Sequence, residues 1–320
     1  MDVLLIGYGS LAKRRIVPAL ESLECIETIH IAEMYGSIPE NAVSQNKRGG
    51  RFCDFKTAIS SSSECLVYVS QPNSMHAFWA TIALEYGHHV IVDKPAVTDL
   101  RDARRIADLA DSKSLCAAES NVWYYHPIAQ NLRDIIDSQD TLPLAIYATF
   151  ASPALNPDNF RYRVDMGGGA ILDRASYAIS CGRFLLGAMP SNIYCKRYPI
   201  LKSREVETSF SLLLNYDTGA TMLAFMSIEA EYRNSVEVIG CDYSIEVHRL
   251  FSPPDDYEGI IQMRQNNESK AIDVLPGDSF GLFINEVVKS IESGKYSHYS
   301  EVLFEDAQVM DAIRKSDKGA

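Results

Sequence analysis

Over the first 120 residues, short runs of apolar and β-branched residues alternate with stretches whose apolar positions recur every three to four residues. Segments 3–6, 28–32, 65–70, 89–92 and 115–118 read as strands, and 11–23, 75–86 and 100–112 as helices. Strands that are apolar throughout are covered on both faces, the mark of a parallel sheet flanked by helices. With right-handed crossovers, the expected result is a doubly wound, Rossmann-type α/β domain.

From residue 144 the texture changes. Segments 145–152, 193–199, 205–216, 221–231, 235–239, 243–248 and 260–265 read as successive strands, with turn chemistry at Asp217-Thr218-Gly219 and Cys241-Asp242. Strands that follow one another without helices imply a mainly antiparallel sheet. Helices are expected only at 170–186, 280–293 and near 301–314, and 60–63 reads as a polar loop. The expected layout is a doubly wound α/β domain over 1–121 and an α+β domain over 122–320.

Composition narrows the function. A chain of 320 residues with 47% hydrophobic residues buries a large core and exceeds the usual size of one. Its net charge of −12 argues against a nucleic-acid surface. No run of about 18 apolar residues is present, and the opening segment lacks the layout of a signal peptide. The seven cysteines are odd in number and form no CxxC pair, so they read as reduced, mostly buried thiols and not as a metal site. A cytoplasmic protein is the expectation.

Gly7-Tyr8-Gly9-Ser10-Leu11-Ala12 follows the first strand and opens a helix, which is the G-x-G-x-x-G/A form of a dinucleotide loop. A plain strand-to-helix turn is the bland alternative. Glu33 ends the second strand, where an acid accepts the adenosine ribose hydroxyls and repels a 2′-phosphate. This favours NAD over NADP, although Lys13, Arg14 and Arg15 keep NADP open. Ser70, Pro72, Asn73 and His76, then Asp93, Lys94 and Pro95, fall at the carboxyl edge of the sheet, where ligands bind in such folds. A solvated lysine and a structural histidine are the alternatives for Lys94 and His76.

The segments PNSMH (72–76), GHHVIVDKP (87–95) and GGGAILDRASYAIS (167–180), in this order behind a glycine loop, resemble the glucose–fructose oxidoreductase / inositol dehydrogenase / MocA (Gfo/Idh/MocA) family over nearly the whole chain. In detail the chain is most similar to the family's sugar-nucleotide C-3 ketoreductases, through LAKRRIVPAL, ESNVWYYHP, FRYRVDMGGGAILD, RLFSPPDDY and LPGDSF. The resemblance implies an NAD(P)-binding Rossmann domain over 1–121, an open-faced α+β substrate-binding and oligomerisation domain over 122–320, a catalytic lysine at Lys94 and site residues at Asp173 and Tyr177. Asp93 stands where the family has glutamate, and Arg174-Ala175-Ser176 replace its small residues and glycine.

A ketone receiving hydride needs a proton donor within hydrogen-bond reach. Tyr177 is the expected donor, Lys94 the cation that orients and stabilises, and Asp173 the group that holds a substrate hydroxyl or fixes Lys94. A tyrosine's ordinary pKa, near 10, makes such a cation useful. A core helix tyrosine is the bland reading. Asn121 is expected to reach the nicotinamide or substrate, and Trp123, Tyr124 and Tyr125 to line a sugar or the core. Arg161 and Arg163 are expected to hold cofactor or diphosphate, or to form surface ion pairs.

The expected function is hydride transfer between NAD or NADP and a nucleotide-linked keto-deoxysugar. A free aldose or cyclitol dehydrogenase, a lyase or glycosidase that recycles its cofactor, and a non-catalytic dinucleotide sensor are the competitors. Alternating apolar residues over 210–214 and 222–226 suggest a sheet face that pairs in a homodimer or homotetramer.

Overall fold

The computed structural model describes residues 1–198 and 204–316. The described chain divides into two compact units, one of residues 1–120 and 280–307, the other of the remaining described residues. The first carries β1 (Val3–Ile6), α1 (Val17–Ser22), β2 (Ile29–Ala32), β3 (Arg48–Phe52), α2 (Phe55–Ser61), β4 (Leu66–Val69), α3 (Asn73–Glu85), β5 (His89–Asp93), α4 (Leu100–Lys113) and β6 (Ala117–Ser120). A π-helical turn, Ala12–Ile16, leads into α1.

The six strands are all parallel, in the order β3-β2-β1-β4-β5-β6, the doubly wound arrangement expected. Every residue of β1, β4 and β5 is buried, as two covered faces require. Helix starts are conventional: Asp54 and Asp99 accept from the backbone N–H groups of Thr57 and Arg101.

Sequence patterning missed β3 and α2. β3 reads Arg-Gly-Gly-Arg-Phe and is mostly exposed, so its pairing with β2 rests on backbone bonds and leaves no apolar signature. Ser60 and Ser61, expected in a loop, close α2. The fifth predicted strand begins two residues late, at Ala117, because Ser114 turns the chain in a left-handed conformation at the end of α4. Residues 280–307, assigned from sequence to the second domain, group with the first unit, where Leu303 and Ala307 enter the core. They come from α7 (Ser279–Glu292) and α8 (Ser297–Ser316).

The second unit holds α5 (Pro127–Asp137), β7 (Ala145–Ala151), α6 (Ala170–Leu186), β8 (Asn192–Arg197), β9 (Ser209–Asn215), β10 (Thr221–Ser227), β11 (Arg233–Ile239), β12 (Tyr243–His248), β13 (Gly259–Gln265) and β14 (Glu268–Val274). Its sheet runs β14-β13-β12-β11-β7-β10-β9-β8. Only β7 and β10 pair in parallel. α6 packs on β7, β9 and β10, covering Ile146, Ala148, Phe210, Leu212, Met222 and Ala224. On the opposite face Tyr147, Leu223, Leu213 and Tyr194 form one cross-strand row, all exposed.

The strand expected at 205–216 starts at Ser209 because the preceding residues serve other partners. Glu207 caps α6, its backbone and carboxylate oxygens accepting from Ala170 N (2.9 Å) and Ile171 N (3.0 Å), and Arg204 pairs bidentately with Glu229 at 2.6 and 3.1 Å. The latter pair also ends the strand expected at 221–231 early, at Ser227. β8 ends at Arg197; Pro199, at the end of the expected strand, lies outside the described residues. α5 and β14 were not foreseen.

Candidate functional site

In the first unit, β1 runs directly into Gly7, whose φ of 99° suits glycine alone. A Cβ on Gly7 would lie 2.2 Å from both Ser70 O and Gln71 Nε2. Glycine therefore lets the loops after β1 and β4 touch where the strand order reverses, the ligand crevice of such sheets. Gly9 is the opposite case: it is exposed, and nothing lies within 4 Å of a Cβ built on it. Ser10 and Leu11 beside it are also exposed, and Lys13 N donates to Gly9 O at 3.0 Å as the chain enters its helical run. Anchored at Gly7 and open at Gly9, the loop fits a dinucleotide's pyrophosphate.

Glu33 closes the other side of this loop. Its carboxylate accepts from Tyr8 N at 2.7 Å and from Tyr35 N at 2.9 Å, tying the glycine loop to the chain after β2. A carboxylate has acceptor capacity beyond two bonds, so ribose hydroxyls are suitable further partners and a phosphate is not.

At the adjoining edge, Asp93 is a buried hub. Ser70 Oγ donates to it at 2.6 Å, Tyr68 Oη at 3.1 Å and Ser120 Oγ at 3.2 Å, which locks the ends of β4, β5 and β6 together. Burial, then the Asp93 charge, holds the Tyr68 phenol far above its ordinary pKa, so it stays a donor. Pro72 sits at the N-cap of α3, and Asn73 begins that helix, buried.

His76, also buried, places Nδ1 2.8 Å from Pro95 O and Nε2 2.6 Å from Gln71 O. Each tautomer ties α3 to one of the two loops; both bonds at once need the imidazolium, which burial disfavours. His76 and Asp93 thus fix the backbone on either side of the half-exposed Lys94, whose bond to Pro95 is cis.

The second unit builds a different cluster on α6. Asp173, buried in the first turn, is clasped by two guanidinium groups, Arg161 Nε at 2.8 Å and Arg174 Nε at 3.1 Å. Arg174 also donates to Ser152 Oγ at 3.0 Å and lies 3.9 Å from the centre of the Phe150 ring. One turn on, Tyr177 packs edge-on to Phe150 at 4.8 Å and tilted against Phe251 at 5.4 Å. Its hydroxyl lies 3.0 Å from Ser252 Oγ. Asp173 and Tyr177 do share one face of α6, as their spacing predicts, but the carboxylate is engaged by arginines.

The remaining candidates fall elsewhere. Arg163 forms a bidentate pair with the exposed Asp165, at 3.1 and 2.8 Å. Asn121 is buried and turns its amide nitrogen to Ser176 O at 3.4 Å; its Oδ1 and the Ser176 hydroxyl make no hydrogen bond among the described residues. Trp123 is fully buried, packed edge-to-face with Tyr124, Phe184 and Phe251, with Nε1 donating to Ser180 Oγ at 2.9 Å. It belongs to the core.

Of the cysteines only Cys65, Cys116 and Cys181 are buried, fewer than expected; burial pushes the first two to about 12. Among the described residues no helix is long and apolar enough to cross a membrane. Sequence reasoning gave no role to Tyr68, Ser120 or Ser252: Tyr68 sits inside an apolar strand, and Ser120 and Ser252 fall within ESNVWYYHP and RLFSPPDDY without a residue pattern that singles them out.

The chain is similar to known proteins over nearly its whole length. A family model described as "Oxidoreductase family, NAD-binding Rossmann fold" matches residues 1–121, and a second, "GFO/IDH/MocA C-terminal domain", matches 130–246. The chain is 28% identical over 314 residues to a dTDP-3,4-didehydro-2,6-dideoxy-alpha-D-glucose 3-reductase of Actinomadura kijaniata, covering 97% of this chain and 93% of that protein. It is 27% identical to a 3-reductase of the same name from Saccharopolyspora spinosa, covering 90% and 87%. A solved 3-ketoreductase from Actinomadura kijaniata, in complex with NADP and TDP-benzene, superposes with a TM-score of 0.88 at 25% identity, over 99% of this chain and 97% of that one.

Proposed function

The chain belongs to the Gfo/Idh/MocA oxidoreductases, and from that premise we propose that it reduces a keto group on a nucleotide-linked deoxysugar. The observation that carries this reading is the end-to-end likeness to two 3-reductases and to a 3-ketoreductase solved with TDP-benzene and NADP. The loop at Gly7, Gly9, Ser10 and Leu11 would hold the dinucleotide, with Glu33 toward its ribose. Bound NAD(P)H supplies the hydride. Tyr177 gives the proton that the nascent alkoxide takes up, and Lys94 supplies the positive charge that stabilises it. Asp93 and His76 act through Lys94 by fixing its loop. Asp173 acts as a positioning residue, holding Arg161 and Arg174 over the first turn of α6. A cytoplasmic setting agrees with the use of NAD(P)H.

The test is turnover of dTDP-3,4-didehydro-2,6-dideoxy-alpha-D-glucose beside free aldoses and inositol, each with NADH and NADPH. Reduction of the nucleotide-linked sugar at least 100-fold faster than turnover of any free sugar is expected; preference for a free aldose or cyclitol would overturn the reading. Glu33 leads us to expect NADH to bind about 10-fold more tightly than NADPH, a difference of about 1.4 kcal/mol. The opposite order would remove Glu33 from the choice of cofactor.

We also assign the exposed row Tyr194, Leu213, Leu223 and Tyr147 to the contact between copies of this chain in a homodimer or homotetramer. An isologous contact sets each such row against its equivalent. Leu223→Glu is then expected to yield a monomer by light scattering. An unchanged mass would place the contact elsewhere.

A further inference from the structure

Tyr177 is largely buried, 9% exposed, so a hydroxyl in contact with its own offers a short route for replacing a donated proton. Ser252 Oγ lies 3.0 Å from the Tyr177 hydroxyl, and Ser252, unlike Tyr177, is exposed. The ring of Tyr177 is walled by Phe150 and Phe251, which exchange no protons.

The turn that presents Ser252 is held with care. Ser252 has φ 52° and Arg249 φ 54°, in the left-handed region that residues other than glycine, asparagine and aspartate seldom adopt. Asn234, buried on β11, clamps both sides of Phe251: its amide nitrogen donates to Phe251 O, and its Oδ1 accepts from Phe251 N at 3.1 Å. Arg249 N donates to Asn234 O at 2.7 Å. The chain thus keeps a serine where glycine would fit without strain, and its hydroxyl is aimed at the one buried phenol on the chemical face of α6.

We propose that Ser252 positions Tyr177 and relays its proton from solvent. The inference rests on Tyr177 being the donor. As the substrate alkoxide forms its O–H bond, the Tyr177 O–H bond breaks. The Ser252 proton then passes to the tyrosine oxygen, and a proton from solvent water replaces it on Ser252. Serine and tyrosine end as they began, and one solvent proton is consumed per hydride transferred. In the direction of alcohol oxidation, the same path carries the proton outward.

Ser252→Ala in the full chain tests this. With dTDP-3,4-didehydro-2,6-dideoxy-alpha-D-glucose, kcat is expected to fall about 10-fold with KM within about twofold, the low end of what a proton-transfer partner contributes. The solvent deuterium isotope effect on kcat should rise, and added imidazole should restore turnover in proportion to its concentration, a rescue that repair of a purely structural defect does not give. Ser252→Gly, which the left-handed backbone accepts, repeats the test if the alanine variant fails to fold.

A kcat within twofold of the parent, with no imidazole effect, overturns the relay. If Tyr177→Phe is inactive while Ser252→Ala matches the parent, only the relay falls; if Tyr177→Phe is as active as the parent, the donor assignment falls and the relay with it.

Discussion

Replacing Tyr177 with phenylalanine is expected to lower kcat by about 10²- to 10⁴-fold, the range general acids contribute, and to leave dinucleotide affinity within about twofold. The reason for so clean a separation is local. The Tyr177 ring is held by aromatic contacts with Phe150 and Phe251, which phenylalanine retains. Ser252, whose hydroxyl lies 3.0 Å from the Tyr177 hydroxyl, is exposed and can bond to water once that hydroxyl is gone. Stability should therefore change little, whereas the proton has no source. Single-turnover oxidation of bound NADH on mixing with the keto sugar measures the chemical step, and fluorescence titration of the dinucleotide measures binding. Full activity in the variant would make Tyr177 a packing residue and move the donor role elsewhere.

The second large effect separates two glycines of one loop. In Gly7→Ala the new methyl falls 2.2 Å from the backbone oxygen of Ser70, and backbone cannot swing aside as a flexible side chain can. Its φ of 99° is hostile to alanine as well. Strain of about 1–3 kcal/mol from the backbone and a similar overpacking penalty together suggest a loss of about 4 kcal/mol. At about 2–4 °C per kcal/mol, the melting temperature should fall by about 10 °C. Gly9→Ala meets open space, so its melting temperature should match the parent's to about 1 °C while dinucleotide affinity falls at least 10-fold. Calorimetry and dinucleotide titration of both variants provide the check. If Gly9→Ala bound as well as the parent, the pyrophosphate would not sit against Gly9.

The contrast between those glycines also shows what could be read from the chain itself. The doubly wound order was legible because β1, β4 and β5 are apolar at nearly every position, and only a doubly covered sheet tolerates that. β3 and β14 were not: both are edge strands with polar, largely exposed side chains, and an edge is held by backbone bonds that any sequence can make. α5 did leave a signal, with Ile128, Leu132 and Ile136 on one stripe and His126 capping ahead of Pro127, but it lies in the seam where one pattern gives way to the other.

In the site, Gly7, Glu33 and Lys94 announce themselves by position after strands. The Asp93 hub does not, because Tyr68 hides inside an apolar strand and Ser120 is 27 residues from its partner. Ser252 meets Tyr177 across 75 residues, a distance no local pattern spans. Asp173 was expected to hold a substrate hydroxyl or to fix Lys94, and its engagement by Arg161 and Arg174 left no pattern in the sequence.

The return of residues 280–307 to the first unit bears on the order in which this protein is made. Strands β1 to β6 are translated before Leu303 and Ala307, which complete their core, and before Tyr296, which donates to Ser114 O and sits edge-on to His89. The first unit is thus sealed only after the strands of the second have been made. Until then the nascent chain carries an apolar seam, and a gene truncated at the apparent domain boundary would encode a unit with that seam permanently open.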